Sequence, residues 1–208
     1  MPVAGGFARS MVNYDAGART QLAAVITALW VAMAAFLFTG LLATSLASAQ
    51  SLRAVPELDL QRYAGTWHEI ARLPNRFEDA CAGDITATYT PRDDGSLRVV
   101  NACREENGEI KSTEGEARQA GEYAAQLEVR FAPKWLSFLP FVWADYWVIA
   151  LDADYQWALV GEPDLEYFWI LSRDPQMDAR TFEGLKARAR GLGYDLDELV
   201  VVNPPRQD

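Results

Sequence analysis

The chain has 208 residues, of which 50% are hydrophobic, and it carries a formal net charge of −10 at pH 7. An acidic chain without a basic run is a poor partner for nucleic acid. One histidine and two cysteines are too few ligands for a zinc site, and the sequence has no glycine-rich phosphate loop. We therefore expect no metal, no cofactor and no nucleic acid.

The N-terminal region contains a charge-free segment, residues 22–49, that follows two arginines and ends in Ala47-Ser-Ala49. This order is typical of a secretory signal peptide, so we expect residues 1–49 to be cleaved off. An uncleaved membrane anchor is the alternative, since about 20 apolar residues suffice to span a bilayer. Residues 50–57 are expected to form a short leader, and residues 58–208 a single domain.

Beyond residue 57, short runs of alternating apolar and polar residues are separated by Gly, Pro and Asp. This pattern predicts an antiparallel sandwich or barrel. Eight strands is the number at which a closed barrel can hold side chains or one small ligand. The predicted strands are 65–72, 84–91, 96–104, 109–118, 124–132, 145–152, 156–161 and 167–173.

The two cysteines, Cys81 and Cys103, flank a predicted hairpin whose turn is Asp93-Asp-Gly95. Folding the hairpin about this turn brings the cysteines close to each other at its far end. An even cysteine count in an exported protein favours a disulfide over a redox thiol.

One helix is predicted after Pro175 ends the last barrel strand. Asp178 can cap it, and glycines at 191 and 193 stop it. An apolar run at 199–202 then predicts a short ninth strand. The helix shows apolar residues at helical spacing, namely Phe182, Leu185, Ala189 and Leu192.

Three short segments resemble the signature regions of the lipocalins, in the same order and at similar spacing. They are Gly65-Thr-Trp67, Asp154-Tyr155 and the run Trp169-Ile-Leu-Ser-Arg173. The sequence is most similar to the bacterial, apolipoprotein D-like branch, over about residues 57 to 205. The resemblance implies an all-β fold: an eight-stranded antiparallel up-and-down barrel with a C-terminal helix and a short ninth strand, which binds a lipid.

Counting strands places Trp67, Asp154, Tyr155 and Arg173 at the same end of the barrel. The resemblance implies that Trp67 plugs the floor and that Arg173 packs across its indole. A guanidinium over an indole contributes roughly 0.5 to 2 kcal/mol. We therefore expect these four residues to be structural rather than catalytic.

Bacterial lipocalins are often lipoproteins, which requires a cysteine just after the apolar segment. Here that position is Gln50, and no cysteine precedes Cys81. We therefore expect an exported protein, periplasmic or at the outer membrane, without a lipoprotein anchor.

The candidate ligand-facing residues follow from strand parity, starting with Trp67 inward. Parity also places Ala71 and Ala87 inward. A cavity so lined is apolar, with a few hydroxyls and one carboxylate, and suits an acyl chain with its head near the mouth. A packed core would use the same residue types, so parity does not prove a cavity. The candidates are Glu69, Tyr89, Val129, Phe131, Tyr146, Val148 and Trp169.

The connection 133–143, Pro-Lys-Trp-Leu-Ser-Phe-Leu-Pro-Phe-Val-Trp, is expected at the open end of the barrel. Its two prolines exclude a regular central strand. Large exposed apolar patches mark contacts with a membrane or with a second protein. We therefore predict a membrane-surface or homodimer contact, with a self-packed lid over the mouth as the alternative.

Catalysis is not expected. His68 is the only histidine, and parity places it outward near the floor. Glu69 in an apolar barrel could have a raised pKa and act as an acid. A lipocalin-fold enzyme acting on a bound apolar substrate is thus the alternative to storage or transport of a fatty acid, lysophospholipid or similar amphiphile.

Overall fold

The computed structural model describes residues 52–206, so the predicted signal peptide lies outside the described residues. The described part of the chain contains no helix that is long and apolar enough to cross a membrane. The strands are β1 Gly65–Arg72, β2 Cys81–Pro91, β3 Leu97–Glu105, β4 Ile110–Gln119, β5 Gln126–Arg130, β6 Ala144–Leu151, β7 Trp157–Gly161, β8 Phe168–Ser172 and β9 Val200–Val201. The helices are α1 Leu60–Tyr63 and α2 Ala179–Gly191.

Strands β1 to β8 form a closed antiparallel barrel in up-and-down order. Each strand pairs with the next, and β1 closes the ring by pairing with both β8 and β2. The ninth strand, β9, pairs with β1 at Ala71 and Arg72. The predicted fold class is confirmed, including the C-terminal helix and the short ninth strand.

Two apolar cores lie on opposite sides of the barrel wall. One fills the barrel around Trp67, Leu97 and Leu127. The other lies outside, where Phe182, Leu185 and other residues of α2 and its flanks pack on the outer faces of four strands. Asp178 caps α2 as predicted, accepting a hydrogen bond from the backbone N–H of Thr181 at 2.8 Å.

The hairpin of β2 and β3 carries the predicted disulfide between Cys81 and Cys103, with the two Cα atoms 5.6 Å apart. Its turn is closed by Gly95, whose positive φ of 82° favours glycine. The bridge joins the mouth ends of the two strands, as the sequence predicts.

The structure differs from strict alternation within β1. The pairing of β1 with β8 shifts register between Glu69 and Ala71. Because of this bulge, Ile70 and Ala71 both lie in the outer core beneath α2. The prediction that Ala71 faces the barrel interior is therefore wrong, and Arg72 takes the next inward position instead.

Candidate ligand-binding site

The closed end of the barrel is held by Arg173. Its guanidinium carbon lies 3.8 Å from the centroid of the Trp67 ring. The same guanidinium donates hydrogen bonds to the carbonyl oxygens of Thr66 at 2.9 Å and of Arg62 and Ala64 at 2.8 Å. One side chain thus ties the start of β1 to α1, which lies across the floor.

The turn between β6 and β7 completes the floor. The hydroxyl of Tyr155 accepts a hydrogen bond from the backbone N–H of Asp59 at 3.0 Å, and Arg62 stacks on its ring. The side chain of Asp152 accepts bonds from the backbone N–H groups of Asp154 and Gln156. Asp154 therefore contributes to this turn through its backbone.

A chain of three tyrosine hydroxyls lies immediately above the floor. The hydroxyl of Tyr146 is 2.8 Å from that of Tyr63 and 2.7 Å from that of Tyr89. Burial raises the pKa of all three tyrosines, so they are neutral at physiological pH. The lower half of the barrel is thus packed, and Tyr89, Tyr146 and Val148 face inward within it.

Inward-facing side chains become more exposed from the floor towards the mouth. On β4, Ala117 is fully buried, whereas Thr113, four residues nearer the mouth, is exposed. Along β5, Leu127 is buried and Val129 half-buried, and the following inward residue, Phe131, is 40% exposed. This side of the barrel opens upwards.

Strands β6 and β8 show the same gradient. Leu171 on β8 is buried and Trp169 is half-buried, and Ala144 is exposed where its neighbour Tyr146 is buried. The inner face of the barrel is therefore packed near the floor and partly exposed to solvent near the mouth. We call the open upper half the chamber; its walls include Ala87, Val129, Phe131 and Trp169.

Phe131 turns into the chamber because Gly115 leaves room for its ring. A Cβ atom on Gly115 would lie 2.7 Å from the Phe131 ring, so only glycine fits there. Gly115 lies opposite Val99, which faces the interior. The ring therefore covers the inner face of β4 near the mouth.

A buried charged cluster lies at the mouth end of β1. Arg72 Nη1 donates to Glu69 Oε1 at 3.1 Å, and Arg72 Nε lies 2.8 Å from Glu78 Oε2. That second contact is an ion pair without hydrogen-bond alignment, so the Nε–H is buried without an acceptor. Asn75 donates to the same Glu78 oxygen at 2.9 Å. Burial, together with the charge of Glu78, raises the pKa of Glu69 to about 8.

The sequence interpretation found Glu69 in this cluster but missed its two partners. Arg72 was missed because strict alternation places it outward, and the bulge reverses that. Glu78 was missed because it lies in the connection between β1 and β2. The only available signal was the presence of opposite charges within ten residues of each other.

Three carboxylates, Glu162, Asp164 and Glu166, lie together in the connection between β7 and β8. Glu162 accepts a hydrogen bond from the backbone N–H of Tyr167, and burial raises its pKa to about 8. Acidic groups at an exposed turn are common without an ion, so this cluster does not define a metal site.

The connection 133–143 does not cover the mouth with its aromatic residues. Trp135, Phe138 and Phe141 are 72%, 74% and 79% exposed. They follow one another at three-residue spacing through two 3₁₀ turns, Lys134–Leu136 and Pro140–Val142. We call these three residues the aromatic patch.

Trp143 fixes the end of this connection to the outer wall. The guanidinium carbon of Arg118, on β4, lies 3.8 Å from the centroid of a Trp143 ring, and that of Arg130 lies 5.1 Å away. The indole Nε1 donates to the carbonyl oxygen of Ser137 at 2.9 Å. The aromatic patch is thus attached to the barrel at a defined place beside the mouth.

A model of the lipocalin-like domain matches residues 58–204. This match covers all eight barrel strands and most of the chain. The chain belongs to the lipocalin family. A model of the sulfate permease family also matches residues 1–49, less than a quarter of the chain, and does not place the chain in that second family.

Lipocalin relatives identify the branch. The chain is 40% identical over 153 residues to temperature-induced lipocalin-1 of Arabidopsis thaliana, covering 72% of this chain and 81% of the relative. It is 38% identical over 176 residues to outer membrane lipoprotein Blc of Escherichia coli, with coverages of 84% and 96%. It is 29% identical over 153 residues to mouse apolipoprotein D, with coverages of 70% and 76%. The protein is a lipocalin of the bacterial, apolipoprotein D-like branch.

Solved lipocalin barrels share the fold at lower identity. Insecticyanin from the tobacco hornworm superposes with a TM-score of 0.56 at 21% identity, covering 74% of this chain and 85% of that one. A major cockroach allergen gives 0.55 at 18% identity, with coverages of 72% and 90%. Membership of the family makes the protein a binder or carrier of a small hydrophobic ligand.

Proposed function

We propose that this lipocalin stores or transports an amphiphile with a single acyl chain, a fatty acid or a lysophospholipid, in the cell envelope. The observation that carries the proposal is the loss of burial from floor to mouth along the inward faces of the strands. An acyl chain suits the chamber because its walls are aromatic and aliphatic, while polar groups are concentrated at the mouth.

The packed lower half limits how deeply a ligand enters. Tyr63, Tyr89 and Tyr146 satisfy one another's hydroxyls, and Trp67 is fully buried below them. Of the predicted ligand-facing residues, we assign Val129, Phe131 and Trp169 to direct contact with the chain. We assign Tyr89, Tyr146 and Val148 to the base on which the chain end rests.

We further propose that the aromatic patch contacts the membrane surface. Its three side chains project from one short segment beside the mouth, and Trp and Phe suit the boundary of a bilayer. A net charge of −10 opposes anionic headgroups, so the contact relies on apolar burial. Dimer formation through the same patch is the competing outcome, which sedimentation velocity in the absence of lipid detects.

Export to the envelope is supported by relatives named outer membrane lipoproteins. Cleavage after Ala49 without acylation stays a prediction from the sequence. N-terminal sequencing and intact mass of the protein from its native host test it. A retained apolar segment, or a lipid-sized mass increment, would contradict it.

Enzymatic action through Glu69 is the second candidate, and the raised pKa of that carboxyl favours it. Against it, Glu69 Oε1 accepts a hydrogen bond from Arg72, which fixes the carboxyl against the wall. Glu69→Gln separates the two functions. A carrier keeps its ligand affinity within a few-fold, whereas an enzyme loses turnover.

Native mass spectrometry of protein purified from its host, followed by lipid extraction, tests the proposed function. We expect one ligand for each chain and a mass in the range of a fatty acid or lysophospholipid. A sterol, haem or carotenoid in the extract would contradict the proposed ligand class.

A further inference from the structure

We propose that Arg72 is the headgroup anchor of the chamber, which binds the anionic group of an acyl ligand by exchanging it for Glu78. This inference rests on the proposed function and adds a ligand class to it: an acyl chain that ends in a carboxylate or a phosphate.

Arg72 faces the interior at the mouth end of β1. It lies opposite Trp169 on β8, and cross-strand partners share a face. Trp169 packs against the interior core, so Arg72 lies above the packed half of the barrel. Its side chain is only 10% exposed, so Arg72 is a buried cation in the wall of the chamber.

A buried cation needs a partner, and one of the two carboxylates that contact Arg72 comes from the connection between β1 and β2. That partner is Glu78, whose carboxylate lies 2.8 Å from Arg72 Nε without hydrogen-bond alignment. A planar guanidinium binds a carboxylate or phosphate best through two parallel hydrogen bonds. The Glu78 contact leaves the Nε–H without an acceptor, and an incoming anion can supply one.

The exchange conserves the local charge. Because burial raises the pKa of Glu69 to about 8, Glu69 is largely neutral at pH 7, and Arg72 is balanced by Glu78 alone. Replacing the Glu78 carboxylate with a ligand anion leaves the same single pair. Simple addition of an anion would instead leave an uncompensated buried charge.

A depression at the mouth lies next to the residues that hold Arg72. It is lined by Pro74, Asn75, Arg76, Glu166 and Tyr167. Asn75 donates a hydrogen bond to the Glu78 carboxylate, which in turn contacts Arg72. Tyr167 stacks on Trp169 with ring centroids 6.0 Å apart, next to Arg72. The headgroup thus lies at the mouth, and the acyl chain extends below it along the chamber.

Two probes with the same chain separate headgroup binding from chain binding: cis-parinaric acid and the corresponding alcohol. At pH 7 the wild-type protein should bind the acid more tightly than the alcohol. Arg72→Met should weaken binding of the acid about tenfold and leave the alcohol within about twofold. Glu78→Gln should strengthen binding of the acid several-fold, because it removes the competing anion, and should leave the alcohol unchanged.

The controls are Arg98→Met and Glu114→Gln, which remove the same charges from an exposed pair on the outer wall. Competition by oleate, which ends in a carboxylate, and by lysophosphatidate, which ends in a phosphate, then shows which of the two anionic groups binds more tightly. If Arg72→Met does not fold, Glu78→Gln still decides the question. Parallel losses for acid and alcohol, or weaker acid binding by Glu78→Gln, overturn the anchor. If the wild-type protein binds neither probe, the proposed function itself fails.

Discussion

A single side chain, Arg173, joins three elements of the barrel floor. It covers Trp67, holds the carbonyl groups around α1, and donates to the carbonyl of Tyr155 at 3.3 Å. The family resemblance correctly indicated the stacking on Trp67. The hydrogen bonds to α1 could not be predicted, because a helix of only four residues is too short to leave a periodic pattern in the sequence.

We expect Arg173→Met to lower the free energy of unfolding by about 2 to 4 kcal/mol, because it removes charge-assisted hydrogen bonds as well as the cation–π contact. Arg173→Lys retains the charge but not the planar fork, so it should recover less than half of that loss. Urea denaturation measures both variants. Full recovery by lysine would show that charge alone closes the floor.

Glu69 should make stability depend on pH. Its pKa is about 8 in the folded protein against an ordinary value of 4.5. The stability associated with neutral Glu69 is therefore fully present below about pH 4.5 and is lost as pH rises towards 8. The expected loss is about 1.4 kcal/mol for each pH unit inside that window.

Glu69→Gln should remove this dependence, so the variant should gain stability over the wild-type protein steadily from pH 5 to pH 8. Urea denaturation at several pH values measures the difference. Glu109→Gln controls for the loss of one carboxylate at an exposed position. A constant difference between wild type and Glu69→Gln across this range would show that Glu69 ionises normally.

At the level of elements, local patterns predicted most of what the structure contains. Three features could be predicted because each depends on residues near one another in the sequence: the helix cap at Asp178, the turn at Gly95 and the cysteine pair. The bulge in β1 could not be predicted from the sequence, because it depends on the register of β1 with β8, about a hundred residues away. The misplacement of Ala71 and the omission of Arg72 both follow from that one shift.

The connection 133–143 should govern exchange of lipid with membranes rather than affinity for free ligand. Burying Trp135 and Phe138 in a bilayer surface contributes roughly 3 to 6 kcal/mol before ordering costs. Changing both to serine should slow transfer of a fluorescent fatty acid between vesicles and protein, at low and at high salt alike.

Ile110→Ser is the matched control, because Ile110 is also a strongly exposed apolar residue at the open end of the barrel. It should leave the transfer rate unchanged. If the double serine variant instead loses affinity for free fatty acid in proportion to its transfer rate, the connection is a wall of the pocket and does not dock on membranes.

At the scale of the whole molecule, the barrel divides into a packed lower half and an open upper half. Parity placed the seven candidate ligand-facing residues on the inner face but misplaced Ala71, and it could not distinguish packed positions from chamber positions. That distinction depends on how far each strand extends beyond the tyrosine layer, which is a property of the assembled barrel. Val148 is fully buried, whereas Val129, at an equivalent inward position nearer the mouth, is half-buried.

Filling the chamber tests its role as the lipid site most directly. Val129→Trp places an indole in the chamber, whereas Val100→Trp places one on the outer face of β3 as a control. We expect titration with cis-parinaric acid to show at least about tenfold weaker binding for Val129→Trp and little change for Val100→Trp, with both variants folded by circular dichroism. Undiminished binding by a folded Val129→Trp variant would contradict the assignment of the ligand to this chamber.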